Sequence, residues 1–252
     1  MNYQGKTIWI TGASSGIGKA FAKAFYEEGA NLILSSRREG ALKEVKESLG
    51  KDTSNVAVIP LDLAKTETFP KKMEQALAAF GQIDVLINNG GISQRSTVME
   101  SEISTYRRLM EINYFGAIGL TKQVLTHMVE RESGHIIVTS SVAGKIGTKF
   151  RSGYSASKHA VQGFFNSLRQ EMYEHNVAVT LLCPGFIKTD ISKNALTGDG
   201  SKFGKMGDAH KKAMTPDEMV EKVMPKIKAQ KDEIYVTGFK EALAIWVQRI
   251  SP

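Results

Sequence analysis

Tyr154 and Lys158 stand four residues apart within residues 152–172, a stretch whose pattern predicts a helix. Residues at that spacing share a helix face, so a phenol and an ammonium are set side by side. A free tyrosine titrates near about 10 and is a poor acid–base catalyst at neutral pH. A close positive charge favours the phenolate, by about 1–3 units for a well-placed partner. Such a tyrosine can give a proton to a carbonyl oxygen and take it back. The same pair occurs by chance on many solvated helix faces, so its meaning depends on what precedes it. Far upstream, Gly12, Gly16 and Gly18 fall in Thr11-Gly12-Ala13-Ser14-Ser15-Gly16-Ile17-Gly18. Small residues there let the backbone approach a pyrophosphate, whose charge is held at a helix N-terminus. The spacing is G-x-x-x-G-x-G rather than G-x-G-x-x-G. Tight turns need glycine in any case, so the weight comes from its place straight after a strand.

The elements that must position these groups alternate regularly. Strand-like runs are read at 7–10, 31–35, 56–59, 83–87, 135–139, 177–182 and 233–237. Helical patterns run from the glycine turn to residue 28, then over 39–49, 66–80, 101–131 and 152–175. The helix over 101–131 is expected to be one long rod, kinked near Gly116 and Gly119. Thr215-Pro216-Asp217-Glu218 opens another, with Thr215 as N-cap, Pro216 in the first turn and Glu218 completing a capping box. Strands alternating with helices mean βαβ units and a parallel sheet. The expected fold is α/β: a Rossmann-type, doubly wound parallel sheet of about seven strands with helices on both faces. With no internal repeat or linker, residues 1–252 read as one domain. Residues 190–214 lack a period and hold Gly198, Gly200, Gly204 and Gly207, which marks them as a substrate loop expected to be mobile before cofactor binds.

Composition excludes several classes. The single cysteine, Cys183, rules out an internal disulfide and a multi-cysteine metal site, and fits a reducing compartment. Five histidines show no paired-ligand spacing, so no metal is expected. No apolar run approaches the ~20 residues that span a bilayer, and the N-terminus leaves no room for a signal peptide. A cytoplasmic protein is expected. Net charge is +7, from 33 basic and 26 acidic residues. The lysines are dispersed rather than clustered among aromatics, so no nucleic-acid partner is expected.

Further motifs complete a pattern. Asn88-Asn89-Gly90-Gly91 follows the fourth strand, Asn113 sits in Glu111-Ile112-Asn113-Tyr114, and Ser141 lies in Thr139-Ser140-Ser141-Val142-Ala143-Gly144. Pro184-Gly185 follows the sixth strand, with Ile187 and Thr189 behind it. In this order, with Thr11–Gly18 and Tyr154-x-x-x-Lys158, they make nearly the whole chain resemble the classical short-chain dehydrogenases/reductases. Gly90 stands where that family usually has alanine. The resemblance implies a catalytic set of Asn113, Ser141, Tyr154 and Lys158. Ser141 would hydrogen-bond the substrate oxygen and Tyr154 would transfer the proton. Lys158 would hold the nicotinamide ribose and lower the tyrosine pKa, while Asn113 would position a water leading from Lys158 to solvent. Ser140 reads as structural. The implied cofactor contacts are Gly12, Ser14, Ser15, Gly16, Ile17, Gly18, Asp62, Leu63, Asn89, Gly90, Tyr154, Lys158, Pro184, Gly185, Ile187 and Thr189. The implied reaction is hydride transfer between a nicotinamide cofactor and a small carbonyl or secondary alcohol. A non-catalytic dinucleotide-binding regulatory or scaffold protein is the alternative.

Cofactor choice is read at the end of the second strand. A carboxylate there would bond the ribose hydroxyls, and an arginine would accommodate a 2′-phosphate. Here Ser36 takes the acidic position, followed by Arg37 and Arg38. NADP(H) is therefore expected over NAD, with Arg37 as the main phosphate contact. The residue that stands against this is Glu39. Substrate walls are expected from Gln94–Arg95, 142–150, Phe186 and the 191–214 loop. The resemblance also implies a homotetramer or homodimer, pairing the two long central helices. Finally, Phe239, Ala242, Leu243, Trp246, Val247 and Ile250 form one apolar stripe, expected to pack on the chain's own core.

Overall fold

Ile8, Trp9 and Ile10 are consecutive and all fully buried, because a strand covered by helices on both sides has no solvent face. They belong to the central strand β1 (Thr7–Thr11) of a seven-stranded, all-parallel sheet. The others are β2 (Asn31–Ser35), β3 (Val56–Val58), β4 (Val85–Asn88), β5 (Gly134–Thr139), β6 (Val177–Pro184) and β7 (Glu233–Val236). This computed structural model describes residues 2–205 and 213–248 of the chain. The strand order is β3-β2-β1-β4-β5-β6-β7. The chain reverses direction of travel between β1 and β4, so the crevice at their carboxyl ends is the natural ligand cleft of an open α/β sheet.

Around the sheet lie α1 (Gly16–Glu27), α2 (Glu39–Leu49), α3 (Phe69–Phe80), α4 (Ile103–Met110), α5 (Gly116–Glu130), α6 (Ser152–Glu171), α7 (Pro216–Lys228) and α8 (Phe239–Gln248). Two cores flank it. Ile8, Ile10, Leu32, Leu34 and Ile87 face α1 and α7, through Phe21, Phe25 and Val223. Trp9, Ile33, Leu86, Ile136 and Val138 face α3, α5 and α6, through Phe69, Leu120 and Phe165. This period-two partition fixes strand register, since a one-residue slip would exchange the two cores. Thr215 and Glu218 form the reciprocal capping box expected at the start of α7.

One expectation is corrected, and the described residues bear on two more. The 101–131 rod is interrupted by a π-helical segment, Glu111–Phe115, centred on Asn113 rather than on glycine. An extra residue in the turn re-aims the chain there. Gly116 serves a different need, since a Cβ on it would lie 2.5 Å from the Leu63 carbonyl oxygen. The described part of the substrate loop, 191–205, is tied down rather than free. Leu196 bridges Gln94, Phe203 N–H donates to the Ala195 carbonyl, and the Gly198 carbonyl accepts from Glu102 N–H and the Thr105 hydroxyl. Residues 206–212 of that loop lie outside the described residues. In α8 the stripe residues Leu243 and Val247 are 49% and 45% exposed, and among the described side chains the buried one is Ile245, which is off the stripe. That part of the stripe does not pack inward; the side chains of Phe239 and Trp246, and Ile250, lie outside the described residues.

Candidate active site

The glycine turn shows why only small residues fit. Gly12 has φ +66°, and a Cβ on it would stand 2.8 Å from the Gly90 Cα. A Cβ on Gly18 would overlap the Gly12 carbonyl oxygen. Thr11 joins the strand ends: its hydroxyl donates to the Ile87 carbonyl and accepts from the N–H groups of Asn89 and Gly90 at 3.0 Å. Asn89 donates to the Thr11 carbonyl and accepts from the Thr139 hydroxyl. Leu63 closes over Gly90, where a Cβ would come within 2.6 Å of it. Gly16, φ +55°, lies against Thr189, which brings the Pro184–Gly185–Ile187–Thr189 segment to the turn. α1 begins there with no side-chain cap and no acid in its first turn. An uncapped helix start beside a glycine turn fits a pyrophosphate. The residues present therefore suit a dinucleotide.

At the end of β2 the arginine roles differ from expectation. Arg38 Nη2 donates to the Ser14 and Ser15 hydroxyls at 3.1 and 3.4 Å, and its N–H donates to the Ser36 hydroxyl. Arg37 and Arg38 are both exposed, and Arg38 is the one joined to the cofactor turn. Glu39 is paired with Lys43 one turn into α2, at 2.7 Å. Asp62 accepts from its own turn, Ala64 N–H.

The other side of the cleft holds the proton-transfer candidates. α6 brings Tyr154 and Lys158 inward, both buried, and the turn after β5 brings Ser141. The Ser141 side chain lies near enough to the Tyr154 hydroxyl to pull its pKa down, while its own hydroxyl donates to the Pro184 carbonyl at 3.4 Å and accepts from Ala143 N–H at 3.1 Å. Lys158 Nζ donates to the Thr139 carbonyl at 2.8 Å and lies 5.9 Å from the Tyr154 ring centroid. Asn113 accepts from Ile92 N–H at 2.8 Å and donates to the Ile92 carbonyl and the Ser157 hydroxyl. Both its amide hydrogens are thus engaged in fixing the segment after β4. Ser140 accepts from Gln162, which also donates to the Cys183 sulfur.

Burial decides the electrostatics. It pushes the Tyr154 phenol above its ordinary value, against the Ser141 side chain and the Arg151 charge, which pull it down. Burial likewise pushes the Lys158 ammonium down, to about 8. In this structure the Lys158 ammonium is directed at a carbonyl, and the charge that pulls the Tyr154 phenol down is that of Arg151. Sequence reading passed over Arg151. Its signal was position, one turn before Tyr154 on the same helix face.

A cavity of about 280 Å³ opens over Ser141, lined by Val142, Ile146, Arg151, Phe186 and Ala244 among others. The Arg151 guanidinium stacks over the Phe186 ring, 5.4 Å from its centroid. The expected walls at 142–150 and Phe186 contribute, and α8 adds Ala244, which the sequence did not signal. Gln94 is not part of the lining. It is fully buried and bonded to the start of α6. Among the described residues no group of three or more His, Cys, Asp or Glu side chains could hold a metal, and no helix is long and apolar enough to cross a membrane. Ser141 in the wall of a largely apolar cavity, with the buried Tyr154 phenol close by and a dinucleotide-shaped turn on the other side of the cleft, is an arrangement able to exchange a proton with a substrate oxygen.

Comparison with known proteins agrees with this geometry. The model of the short chain dehydrogenase family matches residues 6–199. The dehydrogenase/reductase SDR family protein 7-like of Drosophila melanogaster is 42% identical, over 98% of this chain and 77% of its own length. The dehydrogenase/reductase SDR family member 7B of Mus musculus is 41% identical, over 97% and 77%. Among solved structures, a short chain dehydrogenase/reductase from Burkholderia phymatum in complex with NAD superposes with a TM-score of 0.86. It is 23% identical, with 99% and 95% of the two chains covered. An alcohol dehydrogenase from Thermococcus sibiricus complexed with 5-hydroxy-NADP gives 0.79 at 25% identity, with 92% and 96% covered. Since the family match takes in both the glycine turn and the Tyr154–Lys158 helix, and the relatives align along almost all of the chain, this protein belongs to the short-chain dehydrogenase/reductase family of oxidoreductases.

Proposed function

We propose that this protein is an NADP(H)-dependent oxidoreductase that interconverts a carbonyl and a secondary alcohol, with Tyr154 as the acid and base. The observation that carries the reading is Ser141 in the lining of the cavity, with the buried Tyr154 hydroxyl close enough for Ser141 to act on it. A bound nicotinamide cofactor would supply or accept the hydride at the substrate carbon. Tyr154, kept as a phenol at neutral pH by its burial, would donate its proton to the carbonyl oxygen. Ser141 would hold that oxygen by a second hydrogen bond, so both donors meet the charge that develops there. In the reverse direction the phenolate takes the alcohol proton. Lys158 and Asn113 would hold the nicotinamide ribose and the strand ends around it.

The preference for NADP(H) rests on Ser36 in place of an acid and on Arg38 across Ser14 and Ser15. Solved relatives of this fold include one bound to NAD and one bound to 5-hydroxy-NADP, so the fold alone does not favour either. Consumption of NADPH and of NADH, followed by absorbance with a panel of apolar ketones, tests the reading. No turnover with either cofactor would overturn it.

Three further readings belong with this one. Residues 190–214 act as the substrate loop. The protein is cytoplasmic, in keeping with its single, buried, free Cys183. It is a homodimer or homotetramer, supported by Phe115, 46% exposed beside Tyr114, whose ring packs edge-on against Phe164. Light scattering that gave a monomer at micromolar concentration would sink the last.

A further inference from the structure

We propose that Gln94 is a positioning residue for proton transfer: from outside α6, its side-chain oxygen holds the first turn of the helix that carries Tyr154. The need arises from helix geometry. The first N–H groups of a helix have no intrahelical partner, and a local Ser, Thr, Asp or Asn usually supplies one. At α6 the N-cap is Arg151, which makes no side-chain cap hydrogen bond. The acceptor comes instead from 59 residues away: Gln94 Oε1 accepts from Gly153 N–H at 2.7 Å and from Tyr154 N–H at 3.3 Å.

Gln94 is itself immobilised, so the helix follows it and not the reverse. It is fully buried. Its Nε2 donates to the Ser96 and Ser101 hydroxyls at 3.1 and 2.9 Å, which fixes the orientation of the carboxamide. Its backbone is bracketed by Arg95 N–H to the Leu196 carbonyl, 2.7 Å, and Leu196 N–H to the Ser93 carbonyl, 2.8 Å. Ser96 N–H reaches the Phe150 carbonyl, just before α6. Gly153 adds a second constraint, because a Cβ there would stand 2.6 Å from the Tyr106 ring. Tyr154 thus has its backbone N–H on one anchor, while its hydroxyl must stay beside Ser141, which belongs to a different element. A misplacement of ~1 Å between groups in such a pair can cost ~100-fold in rate.

The inference rests on the reading of Tyr154 as the proton donor, and the experiment separates the two. With NADPH and a ketone accepted by the wild type, Gln94→Met should lower kcat by ~10- to 100-fold while KM and the NADPH dissociation constant stay within ~3-fold. Gln94→Glu keeps the acceptor, its charge suits a helix N-terminus, and the Ser96 hydroxyl, which accepts from Nε2 in the wild type, can rotate to donate to the second carboxylate oxygen, so it should retain kcat within ~3-fold. A purely structural role would not give this split or this rescue. If Gln94→Met does not fold, Gln94→Asn carries the same expectation as Met, since it withdraws the acceptor by one methylene. A folded Met or Asn variant with wild-type kcat overturns the inference, as does a Gln94→Glu enzyme as slow as either. Tyr154→Phe run alongside identifies the other failure: if it stays active, the assignment of Tyr154 is wrong.

Discussion

Lys158 Nζ donates to the Thr139 carbonyl oxygen at 2.8 Å, joining α6 to the end of β5. The bond is made inside the protein, and burial holds the ammonium at about 8. A lysine whose folded pKa lies below its unfolded value weakens the fold wherever both states are protonated. The penalty is fully present below about 8 and disappears above the unfolded value of about 10.4. Lys158→Met should therefore stabilise the cofactor-free protein at pH 7, by ~1–3 kcal/mol, the loss of the Thr139 bond offsetting part of the gain. The gain should vanish near pH 11. Activity and NADPH affinity should both fall. Urea denaturation at the two pH values measures this, and a Met variant less stable at pH 7 would contradict it.

Tyr154→Phe should abolish turnover and leave NADPH binding nearly unchanged. Arg151 supplies a graded version of the same test. Its charge lowers the Tyr154 pKa that burial raises, so Arg151→Met should raise it further. Alcohol oxidation needs the phenolate, and its rate should then rise at higher pH than in the wild type. Ketone reduction uses the phenol and should keep its activity to higher pH. Rate–pH profiles in both directions check the sign, and a shift toward acid would refute the assignment.

Arg38→Ala should weaken NADPH by ~10- to 150-fold, the range expected for a charged hydrogen bond to phosphate worth ~1.5–3 kcal/mol. NADH affinity should barely change. Arg37→Ala should have the smaller effect, because Arg38 is the guanidinium joined to Ser14 and Ser15. Fluorescence titration of the two variants with both cofactors ranks them. Equal affinity of the unmutated protein for NADPH and NADH would remove the premise.

The sheet was legible because buried parallel strands are short β-branched runs punctuated by glycine, and all seven were located in the sequence to within about two residues per end, as far as such boundaries can be read. Tyr154, Lys158, Ser141 and the glycine turn announced themselves by type and spacing. What stayed hidden was contact between segments distant in sequence. Nothing in residues 93–96 signals that Gln94 completes the start of α6, since the partner lies 59 residues on. Arg38 and Arg37 are indistinguishable as neighbouring letters; only the turn of the chain after β2 decides which reaches Ser14. The family resemblance placed Asn113 at a kink, but the residues themselves pointed to Gly116 and Gly119, because glycine is the usual sequence sign of a bend and an extra residue in a helical turn has none.

Four glycines across 191–214 and a missing period pointed to a segment loose until cofactor binds. The bonds around Leu196 argue otherwise. Leu196 N–H and carbonyl are both paired with the 93–95 strand segment, and Ala195 and Leu196 are buried. The Thr197–Ser201 turn closes on itself through Asp199, whose carboxyl is held low, to about 2, by hydrogen bonds from Thr197 and Ser201. Amides exchange slowly where opening must break several such bonds at once. Leu196, Phe203 and Gly204 amides should therefore be protected in the cofactor-free protein, and adding NADPH with a substrate analogue should change them by less than ~3-fold. Asn194 and Ala195 donate only to carbonyls three or four residues back, those of Asp190 and Ser192, in single local turns, and should open sooner. Hydrogen exchange with residue-level readout decides: fast exchange of Leu196 without cofactor, slowed strongly in the ternary complex, would restore a closing lid and remove the fixed anchor on which the placement of Gln94 depends.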